Sequence, residues 1–446
     1  MGCIYRGRFL FILAAFLLAL PVPGRAAEVN LGGENPLSLE RAVELALNQS
    51  FSLRQSYIDL GTAEYAAAHL WSEIFPGISA GLGLSYGTGL LTGDGFRLNG
   101  TGAGYSLSAG INLSLNAGLP YRMKSLELAR QIRLLSYEDA RRQLEIQVAK
   151  SFYNLIAEKK NLDYLRELLA LAEKQREKDR IAFENGFLGE LGYQRSRLST
   201  ETAKLSLIRA EAAYAARLRE FLAALGLEEA AEPEGLIEIT RIDADPESLI
   251  REYLPKRPDI QRQRQTITGL EYTQKQGLLS SRAPSLSLSA QWRGSPGSGG
   301  ISGEFSDNIS GSISLSIPVD PWIPGTKNDQ SIRSAGAELE KARLELKNLE
   351  IRTANEIRSL AANLKNSWES IEASRFRLEL AERTYELTEG GFQQGAVEFL
   401  TLEDARNSMT EARQQLLNEE LAYQTMTLDL AAALNIDWKE IGRSIP

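Results

Sequence analysis

Two hydrophobic rhythms alternate along this chain, and each occurs twice. Ile78, Ala80, Leu82, Leu84 and Tyr86 alternate with Ser79, Gly81, Gly83 and Ser85. Tyr105, Leu107, Ala109, Ile111, Leu113 and Leu115 alternate with Ser106, Ser108, Gly110, Asn112, Ser114 and Asn116. The pattern returns as Leu286, Leu288, Ala290 and Trp292, then as Ile313, Leu315 and Ile317 separated by serines. A period of two places one apolar and one polar face on a strand. Strands are therefore predicted over about 77–117 and about 285–319, joined in pairs by the glycine-rich stretches 87–104 and 293–308. The polar face holds small uncharged residues, and each run has about the length that crosses a bilayer as a tilted strand. Tyr86, Tyr105 and Trp292 fall at the loop ends of the strands, and Phe75, Tyr121 and Trp322 at the other ends, where aromatic girdles lie. A soluble β-sandwich would carry Lys and Glu on its wet face. These runs have none, which favours membrane strands whose small polar face lines a lumen.

Between the strand pairs the period becomes helical. Leu155, Leu162, Leu165, Leu169 and Ala172 recur at heptad-like spacings, as do Leu205, Ile208, Ala212 and Ala215. Leu339, Ala342, Leu346 and Leu349, then Ile357, Leu360 and Leu364, repeat the pattern. Pro120 suits a helix start, and no proline or glycine interrupts Tyr121 to Asn185. At the helical rise that run spans about 95 Å, far more than a globular domain needs. Long helices are predicted over about 121–226 and about 327–436. Leu37 to Gln49 reads as a short amphipathic helix, and 228–246 as a linker with a small strand at Leu236-Ile237-Glu238-Ile239.

The recurrence is a duplication. Ser50-Phe51-Ser52-Leu53 leads to Ala63-Glu64-Tyr65 as Arg257-Pro258-Asp259-Ile260 leads to Leu270-Glu271-Tyr272. Phe183-Glu184-Asn185-Gly186 matches Phe392-Gln393-Gln394-Gly395, and Tyr214 matches Tyr423. Ala223-Ala224-Leu225-Gly226 matches Ala432-Ala433-Leu434-Asn435. The order and spacing of these pairs divide the chain into a first repeat at 27–227, a linker at 228–246, a second repeat at 247–436 and a tail at 437–446.

Residues 1–26 read as a signal peptide: Arg6 and Arg8 precede the apolar run Phe9 to Leu20, and Gly24 and Ala26 are the small residues of a cleavage site. That run is too short for a membrane anchor. Cys3 precedes it and leaves with it, so neither a lipoprotein anchor nor a disulfide framework is expected. His69 is the sole histidine, which leaves no zinc site and no Ser-His-Asp triad. It is better read as packing near the membrane. The stretch 87–104 lacks the lysine and spacing of a phosphate loop, and the many carboxylates lie among Lys and Arg on helical faces, as intrahelical pairs do. No cofactor, metal or catalytic set is expected. The net charge of −8 argues against nucleic acid. No later stretch is apolar enough for a membrane helix, so the mature chain is expected in the periplasm, outside the cell, or inserted as a barrel.

Four strands cannot close a membrane barrel, and an open edge in lipid is forbidden, so several copies must share one. This α+β arrangement of duplicated helix, β-hairpin and long coiled-coil helix pair resembles the TolC-like outer-membrane efflux protein family from Leu37 to Ile436. Leu37-Ser38-Leu39-Glu40-Arg41-Ala42 is similar to that family's opening helix, and Arg257-Pro258-Asp259-Ile260 to its Asn-Pro-Asp-Leu helix start. Phe183-x-x-Gly186 and Phe392-x-x-Gly395, followed by Leu400 and Ala405-Arg406, resemble its helix-to-helix tips. The resemblance implies a homotrimer in outer-membrane lipid, a twelve-stranded β-barrel continued by a periplasmic α-helical barrel. It also implies a passive conduit served by a periplasmic adaptor protein and an inner-membrane transporter, which select the substrate. The tips would form the entrance. Asp404 falls on an acidic constriction position, and Thr401 on another where the family carries aspartate. Val397 replaces an arginine of the family's closed-state latch, and Leu191 and Gly192 stand where its polar partners occur. Glu398 and Glu403 could restore acidity, with ordinary solvated helix charge as the alternative for all three acids. Gly186, Phe187, Leu188, Gly395, Ala396 and Val397 form the expected adaptor-docking tips, and Leu91 falls in an external loop. A structural or adhesive coiled-coil envelope protein remains an alternative that explains the helices but not the repeated hairpins. A secreted hydrolase lacks an assembled catalytic set.

Overall fold

The structure, a computed structural model, describes residues 37–89, 99–227, 231–243, 245–296 and 305–437. The signal peptide, Leu91, half of each glycine-rich stretch and all but the first residue of the tail lie outside the described residues. The first repeat contains α1 (Leu39–Gln49), α2 (Phe51–Ala68), β1 (Gly77–Gly89), β2 (Asn99–Leu115), α3 (Leu119–Glu184) and α4 (Glu190–Ala224). The second contains α5 (Pro246–Tyr253), α6 (Pro258–Arg282), β3 (Ser285–Pro296), β4 (Phe305–Ser316), α7 (Lys327–Gln393) and α8 (Phe399–Leu434). Element for element the two halves correspond. Among the described residues no helix is long and apolar enough to cross a membrane.

Local chemistry sets the ends of these elements. Ser38 caps α1 by accepting from Arg41 N–H at 3.3 Å, and Asp245 caps the corresponding α5 through Glu247 and Ser248 N–H. The inward stripe of α1 is Leu39, Ala42, Leu45 and Ala46. The great helices α3 and α7, 66 and 67 residues long, each reach about 100 Å. All four coil helices of the two repeats lead into turns of one kind. Gly186, Gly226 and Gly395 take φ of 77°, 69° and 75°, and Asn435 takes 55°. In each, the following residue's N–H returns to a carbonyl five positions back: Phe187 to Ala182, Leu227 to Leu222, Ala396 to Gly391, Ile436 to Ala431. This is the Schellman closure, and it needs a left-handed residue that glycine, or failing that asparagine, supplies.

The four strands form one antiparallel meander in the order β1-β2-β3-β4. The dry cores lie at mid-height. One gathers α1, the 144–156 stretch of α3 and the end of α4; the other gathers α5, the 357–371 stretch of α7 and the end of α8. The linker differs from expectation. Residues 236–239 form no strand ladder, because no neighbouring strand is there to pair with. Ile237 and Ile239 still turn inward, one onto each core, while Leu236 points out. The linker's backbone is tied down piecemeal. Leu37 bridges Pro233, with hydrogen bonds to Glu232 and Glu234. Tyr423 Oη accepts from Ile242 N–H at 3.0 Å and donates to Thr240 O at 2.9 Å.

Candidate functional site

The sheet presents its apolar residues as a continuous field. Leu84 stands opposite Tyr105, Leu82 opposite Leu107 and Ile78 opposite Ile111. Leu113 and Leu288 continue the row to Ile313. Among the described residues nothing covers this field: Leu84 is 82% exposed and Ile313 77%. The opposite face is a ladder of small polar groups, in which Ser287 meets Ser314 at 3.0 Å and Ser289 meets Ser312 at 2.7 Å. Between β1 and β2 the same face is packed closely, since a Cβ on Gly81 or Gly83 would lie within 3.0 Å of the Ser108 or Ser106 hydroxyl and push it aside. The outer edges of β1 and β4 have no strand partner within the chain among the described residues.

The remote tips are the α3–α4 and α7–α8 turns. Phe187 is 88% exposed, and Gly186, Gly395 and Ala396 are open to solvent as well. Leu188 folds back over Gly192, and Val397 over Gly391, where an added Cβ would meet the side chain at 2.7 Å in each case. Aromatic pairs close each turn: Phe183 stacks on Tyr193 at 5.4 Å and 11°, and Phe392 meets Phe399 edge-on at 6.2 Å.

The acidic candidates separate into two groups. Glu398, the residue before α8, is exposed, and so are Thr401 and Asp404, one turn apart on the same face of α8. Glu403 faces inward and pairs with Arg406 at 3.1 Å. The same arginine donates to Ser199 Oγ at 2.7 Å, tying α8 of one repeat to α4 of the other. Close to this pair Asp179 of α3 is only 3% exposed and accepts from Gln175 at 2.8 Å. Burial pushes its carboxyl pKa up, against the pull of Ser196, Gln175 and Lys178, and Glu403 adds to the rise. The Ser196 hydroxyl is near enough to favour the charge but makes no hydrogen bond of good geometry. Among the described residues Asp179 Oδ2 and Arg406 Nε are buried without a partner.

Sequence reasoning did not single out this buried node. A signal was present: Asp179 continues Leu165 and Ala172 at strict heptad spacing, and Arg406 lies in the buried stripe of Leu402, Ala405 and Met409. A charged residue in a heptad seam is a marked position. His69 behaves as a packed residue, its ring 4.0 Å from that of Tyr65.

Comparison with known proteins bears on both regions. The family described as "Outer membrane efflux protein" matches residues 42–227 and 249–435. A probable efflux pump outer membrane protein of Pseudomonas putida, TtgC, is 24% identical over 440 residues, covering 90% of this chain and 84% of that protein. The antibiotic efflux pump outer membrane protein ArpC of Pseudomonas putida is similar to the same extent. Among solved structures, the Campylobacter jejuni CmeC outer membrane channel superposes with a TM-score of 0.72 at 18% identity, covering 96% of this chain and 98% of that one. The outer-membrane channel OprN gives 0.73 at 17%, with 90% of each chain covered.

Proposed function

This chain belongs to the outer membrane efflux protein family, and from that membership we propose that it is the outer-membrane channel-tunnel of a tripartite export system. It is a passive conduit, with its sheet in the outer membrane and its helices in the periplasm. Three copies share one barrel, and no catalytic step belongs to the function. The observation that carries this reading is the uncovered apolar field of β1–β4 together with its two unpaired edges. Water would penalise the field and lipid would penalise the edges by several kcal/mol per unsatisfied group, so both are relieved only in a barrel closed by further strands. A coiled-coil adhesin would have no use for such a sheet.

The helices support the same closure. Near the sheet they pack in the order α2–α3–α6–α7, and toward the tips in the order α4–α3–α8–α7. One flank of the protomer is therefore built from β1, α2 and α4, and the other from β4 and α7. Both flanks carry exposed large apolar residues: Phe51 and Ile58 on α2, Leu205 and Ile208 on α4, Ile351 and Phe376 on α7. Among the described residues the heptad stripe of Leu205 and Ile208 is left half exposed, and a neighbouring copy's α7 supplies its cover. The deciding experiment is planar-bilayer conductance of the detergent-solubilised protein together with its mass. A conducting trimer is expected, and a monomer that inserts and folds alone overturns the reading.

At the tips, the exposed Phe187 and the paired Schellman turns support docking of a periplasmic adaptor, which links the channel to an inner-membrane transporter. Asp404 and Thr401, with Glu398 nearby, line the entrance, while Glu403 serves the Arg406 node instead. Crosslinkers at Phe187 and Val397 should capture the adaptor, and one at the far-end residue Ile309 should not. The reverse pattern would invert the orientation.

A further inference from the structure

We propose that the outer surface just beneath the barrel is a collar that binds the phosphate headgroups of anionic phospholipid. The inference rests on the membrane reading above. Its centre is Arg282, the last residue of α6, whose guanidinium lies 5.0 Å from the Trp322 ring. Trp322 is 63% exposed and follows Ile317 and Val319, exposed residues that continue the outward alternation of β4 to the rim. Arg282 Nε is shielded from water and has no hydrogen-bond partner among the described residues. Two helical turns below, about 10 Å toward the periplasm, Lys275 lies 6.0 Å from the Tyr121 ring. Lys124 lies 5.6 Å from that ring and 5.9 Å from Tyr272, and the two tyrosine rings are 6.1 Å apart.

These groups share one side of the molecule. Gly269 and Ser280 of α6 turn toward α3, against Leu128 and Gly118. Gln263 and Gln274 turn toward α7, against Ala342 and Gly336. Helical geometry then leaves Tyr272, Lys275 and Arg282 on a single remaining face, and the contact of Arg282 with the exposed Trp322 makes that face the outer one.

The three cations are not held in ion pairs among the described residues. Elsewhere these helices match their charges, as Arg130 to Glu127, Arg262 to Asp139 and Arg343 to Glu271. Among the described residues Arg282, Lys275 and Lys124 make no ion pair. Asp329 feels Arg282 but forms no ion pair with it, and its Oδ2 accepts from both Gly325 N–H and Arg333 Nε. Glu73 is committed to Arg122. Headgroups extend several Å beyond the hydrocarbon that the girdle marks, so the two levels of cations bracket the phosphate layer. Guanidinium and ammonium groups satisfy phosphate oxygens with charge-assisted hydrogen bonds, and Tyr and Trp seat the glycerol region. A zwitterionic lipid brings its own ammonium into the same space, so the collar prefers anionic lipid.

The test is native mass spectrometry of the full mature protein in detergent, titrated with phosphatidylglycerol or phosphatidylcholine. The wild type should retain phosphatidylglycerol preferentially, and K275Q alone should weaken it about fivefold, the effect of one cation at a lipid surface. The triple variant K124Q/K275Q/R282Q should erase the preference, whereas the distant set K204Q/K347Q/K365Q should keep it. Equal retention by both triple variants overturns the proposal, as does displacement of the lipid by millimolar inorganic phosphate. Conductance measured on the same samples separates this failure from failure of the channel reading, since a collar variant that conducts as a trimer leaves the channel intact.

Discussion

The duplicated tyrosines Tyr423 and Tyr214 should respond in opposite ways to the same one-atom deletion. Tyr423 is 1% exposed, and its hydroxyl both accepts from Ile242 N–H and donates to Thr240 O. Tyr423→Phe keeps the ring against Trp368, 5.4 Å away, but leaves a buried N–H and a carbonyl of the linker unpaired. An orphaned buried polar group costs about 1–3 kcal/mol, and the desolvation of the lost hydroxyl is recovered in part. A net loss of about 2 kcal/mol is expected. Tyr214 occupies the corresponding place in the first repeat, yet its hydroxyl oxygen is shielded and has no partner among the described residues. Burial, with Glu232 adding to it, raises its pKa. Tyr214→Phe therefore removes a cost rather than a bond, and stability should be unchanged or higher by up to about 1 kcal/mol. Thermal unfolding of the purified protein in detergent, followed by circular dichroism, measures both against the wild type. Equal losses for the two variants, or a larger loss at Tyr214, would refute the assignment of the linker clamp to Tyr423.

Arginine introduced at Leu84, Ile111 or Leu288 should impair insertion far more than at Asn112 or Ser287, because a midplane charge on the lipid face costs about 2–4 kcal/mol. Heat-modifiable migration of outer-membrane fractions reads the difference, and equal tolerance of both faces would argue for a soluble sheet. Asp179→Asn should stabilise the protein at neutral pH. The folded carboxyl has a raised pKa, so its ionised form costs stability above that value and costs nothing below the ordinary carboxylate pKa of about 4. The advantage of the variant should therefore shrink as pH falls toward about 4. An advantage independent of pH would mean that the charge of Asp179 is not its source.

Much of this was legible in the sequence because periodicity reports the face a residue turns, whatever covers that face. Period two located β1 to β4, the small residues marked the face opposite the apolar field, and Gly186 and Gly395 marked the turns between the long helices. What periodicity could not report was the identity of the neighbour. Leu205 and Ile208 read like core yet face out of their own chain, because a heptad stripe looks the same whether its partner is intramolecular or a second copy. The segment 236–239 alternated correctly but had no strand beside it, and pairing is a tertiary fact. Glu403 read as an acid of the entrance or as solvated helix charge; its pairing with an Arg406 that also reaches Ser199 of α4 depends on α4 and α8 meeting across the duplication.

The buried node also bears on how stability is distributed along the helices. At mid-height the seams are filled by Phe152, Leu155, Phe221, Ile357, Leu364 and Leu430. Toward the tips the buried positions include the small Ala172, Ala203 and Ala412, and then the polar Ser196, Thr200, Asp179 and Arg406 enter beside the apolar stripe of Leu402, Ala405 and Met409. The alanines withdraw less apolar area from water than the large side chains at mid-height, and the node introduces charges whose desolvation their mutual attraction repays only with complete hydrogen bonding. Two buried atoms of the node lack that bonding. A leucine at Arg406 would be the ordinary solution for holding four helices together, so the tip end of the bundle is held less firmly than apolar packing would allow. Local opening free energy follows buried apolar contact. Among the described residues the helical ends beyond the node should therefore open more readily than the cores at mid-height, which hydrogen exchange of the purified protein would read as weaker protection there.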